Sequence, residues 1–181
     1  MVEKPKPVNR IVVVDEGEKS RALMKGPAPD VRTDPARPGF TSTRIWLSDR
    51  SPARLTTADP TAGKHTLEPP KGGSLCRIVT FPPDASWKGK VGAKEVQDYF
   101  AAMGSPGAST YSAQAPHPYM QKTRSLDFCL VLEGEITLVL DTEAVHLKAG
   151  DTVVQRGTNH AWSNRSGKNC VIAFSLHDAA G

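Results

Sequence analysis

Cysteine is scarce in this chain of 181 residues: Cys76, Cys129 and Cys170 are odd in number and lie 53 and 41 residues apart. That spacing matches neither a zinc knuckle nor a CxxC redox pair, so reduced thiols packed as small hydrophobes are expected. Aromatic residues make up only 6% of the chain, and no run of five basic residues occurs despite a net charge of +4. The charges are dispersed, with 12 Lys and Arg against 9 Asp and Glu in residues 1–70, and 11 against 10 in residues 71–181. Lacking both a basic groove and a stacking platform, the chain is not expected to bind nucleic acid. Long hydrophobic runs are missing too. The longest charge-free stretch, residues 99–121, is broken by Pro106, Gly107, Pro116 and Pro118, so no membrane helix is expected there. Residues 1–7 carry no apolar core of signal-peptide length, which predicts a cytoplasmic protein. No repeat at a period of 20–50 residues is visible, which excludes solenoids and propellers.

What the chain does have is a hydrophobic content of 38%, enough for one ordinary core at this length. Its organisation changes along the sequence. Residues 1–70 read as an extended arm. The β-branched run 11–14 and residues 43–47 are strand candidates, and Pro27, Pro29, Pro35 and Pro38 hold the segment between them out of any helix. Residues 71–181 read as the globular domain. Residues 75–81 predict a strand that Pro82 and Pro83 end, and residues 51–73 a loop. One short helix is predicted at 93–103, where Val96, Phe100 and Met103 share a face and Gly104 stands as the stop. From Ser125 onward, strands are predicted at 125–132, 135–140, 144–147, 152–155, 160–164 and 170–176, separated by tight turns. With no crossover helices among them, an all-β antiparallel barrel or sandwich follows.

Three segments sharpen that reading. Asp127-Phe128-Cys129-Leu130-Val131-Leu132-Glu133-Gly134-Glu135, then Lys148-Ala149-Gly150-Asp151, then Gly157-Thr158-Asn159-His160-Ala161-Trp162-Ser163-Asn164 resemble the two motifs of the cupin superfamily. The likeness covers about residues 118–176. The longer frame, with the Pro-rich arm and the Tyr99-to-Gly104 helix end, resembles a group of small bacterial and fungal single-domain cupins, some known as cupin oxidoreductases of secondary metabolism. The resemblance implies a double-stranded β-helix, or jelly-roll barrel, with the N-terminal arm adding strands. It also implies a homodimer with exchanged arm strands, and often one divalent metal (zinc, iron, manganese or nickel). The metal motif is degenerate here. Where the common pattern has two histidines, an acid and a final histidine, this chain has Gln121, Thr123, Asp127 and His160. Its other histidines, His65, His117, His146 and His177, supply no pair at a spacing of two, three or four.

The candidate site residues follow. Asp127 interrupts an apolar strand, where a lone carboxylate must be paired, metal-bound or protonated; Arg124 is a candidate ion-pair partner. His160 enters a strand after a glycine turn and shares its predicted face with Trp162 and Asn164. Asp127 and His160, together with Gln121, are the candidate metal ligands, and without a metal Asp127 and His160 form an acid/base pair. Gln121 and Thr123 are expected to contact substrate or water, His117 to reach the pocket rim from a stiff loop, Trp46 and Trp162 to wall the pocket, and Arg156 to clamp a carboxylate. The expected function is that of a small-molecule enzyme. Its substrate is an oxygenated carbonyl or polyketide-like compound, acted on by metal-assisted or acid/base isomerisation, dehydration or decarboxylation. A non-catalytic ligand-binding cupin and a metal-dependent oxygenase are the rival readings.

Overall fold

The computed structural model describes residues 4–180. Among them, eleven strands and one α-helix are arranged in three antiparallel sheets. β1 (Asn9–Glu16) and β2 (Lys19–Pro27) form a separate hairpin. β3 (Asp30–Thr33), β4 (Thr41–Ser48) and β5 (Ser74–Phe81) continue into α1 (Ala93–Ala102), and the C-terminal half supplies β6 (Ser125–Glu133), β7 (Glu135–Val139), β8 (Ala144–Lys148), β9 (Thr152–Arg156), β10 (Ala161–Ser163) and β11 (Cys170–Asp178). The large sheet runs β3-β4-β5-β11-β6-β9, and a small one runs β10-β7-β8.

Period-two alternation decides which side chains enter the barrel. On β5 Leu75, Arg77, Val79 and Phe81 are buried; on β6 Ser125, Asp127, Cys129 and Val131; on β11 Cys170, Ile172, Phe174 and Leu176. One apolar cluster joins these residues to Ile136 and Leu138 of β7, Trp162 of β10 and the Val96, Phe100 and Met103 face of α1. The outward positions of β6, Phe128 and Leu130, are exposed. All three cysteines are free. No helix among the described residues is long and apolar enough to cross a membrane.

The arm is more structured than expected. Its β3 and β4 pair within their own chain and reach β5. The hairpin strand β2 lies outside the predicted strands because its composition, Lys19-Ser20-Arg21-Ala22-Leu23-Met24-Lys25, is polar and half exposed. The stronger local signal is the two-residue turn at Gly17, whose φ of 65° suits a hairpin glycine. The predicted strand 160–164 shortens to Ala161–Ser163, because His160 is held by a single bridge to Gln121 and Asn164 turns into a hydrogen-bonded loop.

Gly104 ends α1 as read from the sequence, at φ 70° with its N–H on the Ala101 carbonyl. A Cβ there would stand 2.0 Å from the His65 carbonyl oxygen. Gly104→Ala is therefore expected to destabilise by about 2–3 kcal/mol, combining left-handed strain with a backbone clash. Gly107→Ala, with nothing within 4 Å, is the control, expected to stay within about 0.5 kcal/mol. Urea unfolding of both variants checks the pair.

Candidate functional site

Residues of five strands, of α1 and of the connecting loops close around a cavity of about 40 Å³ in the barrel, space for roughly three water molecules. Gln121, Thr123, Asp127, His160 and Trp162 line it, as the sequence motif suggested. Arg77, Arg37, Tyr99 and Tyr119 line it as well, without having been singled out.

His160 is placed by backbone. Its N–H and carbonyl exchange hydrogen bonds with Gln121 at 3.0 and 2.8 Å, which sets the two side chains beside each other. The His160 Nδ1 lies 2.9 Å from the Thr158 carbonyl oxygen, which can only accept. Nδ1 therefore carries the proton and Nε2 presents a lone pair, with the Gln121 amide nitrogen 3.4 Å away. Burial lowers the imidazole below its usual 6.5, outweighing the pull of Thr158 and Asp127, so the ring is neutral. Trp162 stands edge-on to it, the ring centroids 6.0 Å apart.

Asp127 points inward from β6. Burial raises its carboxyl above the usual 3.8, against the opposing influence of Ser125, Arg77 and His160. Its Oδ1 is buried without a hydrogen-bond partner. Thr123 and Ser125 share a hydroxyl contact at 2.9 Å just below it. No ion pair joins Asp127 to Arg124 among the described residues; the cation that acts on it is Arg77, one inward step away across β11.

Three residues expected at the pocket sit elsewhere. His117 is 1% exposed and faces the core: its Nδ1 accepts the Tyr119 N–H, its Nε2 is 3.5 Å from Asp84, and its ring meets Trp87 edge-on. The stiff Pro116-His117-Pro118 segment is folded inward because Asp84 and Trp87 offer partners there. Trp46 follows a bulge in β4 and lies half-buried under the Arg10 guanidinium, 5.8 Å from its ring centroid. Arg156 is exposed on β9 beside Lys122 and Arg124, on the outer surface.

The arginines were missed because sequence alternation assigns inward positions to apolar residues by default. Arg37 is wrapped by rings, its guanidinium carbon 3.6 Å from the Tyr119 centroid, 4.0 Å from Phe40 and 4.4 Å from Tyr99, and its Nε donates to Asp34 at 2.6 Å. The available signal was Arg77 itself, a cation in the otherwise apolar Leu75-to-Phe81 run.

As a metal site the donor set does not fit. Among the described residues no group of three His, Cys, Asp or Glu is placed to hold an ion. One imidazole, one carboxylate facing a guanidinium and one neutral amide form a weak set for a divalent cation.

Residues 107–176 match the family described as Cupin domain. A stretch of 48 residues is 60% identical to the Phomopsin biosynthesis cluster protein C' of Diaporthe leptostromiformis, covering 26% of this chain and 25% of that one. A stretch of 108 residues is 31% identical to the Cupin-domain-containing oxidoreductase virC of Hypocrea virens, covering 58% of this chain and 40% of that one. Among solved structures, the Cnp3 cupin domain of Schizosaccharomyces pombe aligns with a TM-score of 0.44 at 9% identity, covering 96% of this chain and 88% of that one. The match thus spans a quarter to two fifths of the curated relatives' length.

Proposed function

We propose that this chain, whose residues 107–176 match the family described as Cupin domain, is a small-molecule tailoring enzyme that moves a proton on a carbonyl compound held in its barrel. The observation that carries this reading is the His160 ring, neutral and with Nε2 unprotonated beside the cavity. Nε2 takes the proton from the carbon next to the carbonyl. The Asp127 carboxyl, which burial raises above the usual carboxylate range, gives its proton in its acid form to the carbonyl oxygen as the enol forms. Gln121 steers Nε2, and the aromatic wall of Phe81, Trp162 and Phe174 limits water. Return of the proton to a different carbon isomerises the substrate; loss of a β-hydroxyl dehydrates it. The relative named for a phomopsin biosynthesis cluster favours a tailoring role.

The test is deuterium uptake at the 3-position of 2-oxobutyrate in D2O, followed by proton NMR. Uptake above the protein-free rate, unchanged after prolonged treatment with EDTA, is the expected result. No uptake overturns the enzymatic reading in favour of a ligand-binding barrel. Uptake abolished by EDTA and restored by a divalent metal overturns the metal-free step. The relative named as an oxidoreductase favours a second reading, redox chemistry, which dioxygen consumption with the same compound would reveal.

A further inference from the structure

Four arginines are buried among the described residues, and three have carboxylates of their own. Arg10 pairs with Asp59 at 2.5 Å, Arg37 with Asp34 at 2.6 Å and Arg44 with Asp30 at 2.6 Å. Arg77 is the exception among the described residues. It is 7% exposed at the middle of β5, its Nε and Nη1 are buried without hydrogen-bond partners, and no carboxylate lies within ion-pair distance. A guanidinium cannot shed its charge by deprotonating, and a buried uncompensated cation is costly to the fold.

The surroundings say what would compensate it. Arg77 lines the cavity together with Asp127, the only carboxylate doing so. Asp127 leaves Oδ1 unpartnered, so neither group satisfies the other. The second cation on the wall, Arg37, is already neutralised by Asp34, which also accepts the Tyr119 hydroxyl at 2.8 Å. Behind Arg77 lies the Phe174 ring, 5.6 Å from the guanidinium carbon, a face that offers no acceptor oxygen. The cavity therefore holds one cation in want of an anion, a neighbouring carboxyl in want of a partner, and about 40 Å³ of space. A terminal carboxylate with an adjacent carbonyl carries acceptors for both groups.

We propose that the barrel is a receptor for small carboxylates and that Arg77 is the residue that takes the carboxylate of the ligand. The inference rests on the proton-transfer reading only in assigning both events to one cavity, and binding can be tested without turnover. If a 2-oxo acid is the substrate, its carboxylate on Arg77 sets the neighbouring carbonyl oxygen toward Asp127 and the next carbon toward His160.

The experiment is calorimetric titration at low salt with 2-oxobutyrate and with its methyl ester, which removes the charge and adds one methyl group. Wild-type protein is expected to bind the anion at least tenfold more tightly than the ester. Arg77→Met is expected to lose that preference while its Tm stays level or rises, because an uncompensated cation is exchanged for an apolar chain of similar volume. Arg77→Lys, which keeps a charge if the apolar variant fails to fold, is expected to bind at least threefold more weakly. Arg156→Met, which removes a cation from the outer surface, is expected to bind the anion as the wild type does. Equal affinity for acid and ester, undiminished binding in the folded Arg77 variants, or no binding of the anion overturns the proposal. Arg77-dependent binding without deuterium uptake would uphold this inference and remove the proton-transfer reading; uptake with an Arg77-independent affinity would do the reverse.

Discussion

His160→Gln lowers the rate of deuterium uptake into 2-oxobutyrate by about 100- to 10,000-fold, the range expected for loss of a general base. Glutamine keeps a hydrogen-bonding side chain of similar reach, so the deficit reports the missing lone pair of Nε2 more than a cavity. The pH profile separates this from mere disturbance. His160 is lowered below 6.5 by burial, and it acts as a base only when neutral, so the rate rises with pH along a limb lying below pH 6.5. Asp127 is raised above 3.8 by burial, and it acts as an acid only when protonated, so the rate falls along a second limb lying above pH 3.8. The two groups feel each other's charge, and the apparent values belong to the pair. In the glutamine variant the acid limb disappears from the residual rate. Asp127→Asn keeps an N–H donor at every pH and is expected to remove the alkaline limb instead. A His160→Gln rate within threefold of wild type, with both limbs intact, would dismiss His160 as the base.

How far the sequence reaches depends on which physical signal each residue leaves in it. The barrel strands from Ser125 onward were legible because alternation, glycine turns and strand length agree. Phe128 and Leu130 complicate the alternation, since they are apolar yet point outward, but the glycine turns still fix the strand ends. Gly104 was legible because only a left-handed stop suits that place. Asp127 and His160 stood out as polar residues at motif positions and do line the cavity. Arg37 and Arg77 did not stand out, because the carboxylate of one lies three residues away in a turn and the other has none to reveal it. His117 misled because flanking prolines describe stiffness and not direction; the Asp84 and Trp87 that draw it inward are about 30 residues away. The placement of Trp46 and Arg156 outside the cavity has a similar cause, since each depends on a bulge or an edge that only pairing creates.

Arg44→Met lowers the unfolding free energy by about 3–5 kcal/mol, the cost of removing one member of a buried ion pair, and lowers Tm by roughly 10 °C. Arg44 is 1% exposed on β4. Its Nε lies 2.6 Å from Asp30 of the edge strand β3, while Nη1 and Nη2 donate to the carbonyls of Lys64, Thr61 and Gly63 at 2.8–3.0 Å. One side chain thus fastens an edge strand to the loop that joins β4 to β5, a loop with little regular structure of its own. Methionine fills much of the volume but takes the closest cation from Asp30 and leaves three carbonyls without their donor. His65, whose Nδ1 is 3.1 Å from Asp30, and Arg32, whose Nε is 3.4 Å from it, are the remaining donors and offset part of the loss. Arg44→Met combined with Asp30→Leu is expected to recover about half of the deficit, because the stranded carboxylate is removed while the carbonyls stay bare. The effect reaches the cavity through sequence: Leu67 lines it from the same loop, and the Leu67 N–H is held by Ser105 at 3.0 Å. Below its melting range the variant is therefore expected to bind 2-oxobutyrate several-fold more weakly, with Arg77 untouched. Urea unfolding of the two single variants and the pair measures the coupling, and a loss under about 1 kcal/mol for Arg44→Met would show that the loop is held by its own packing.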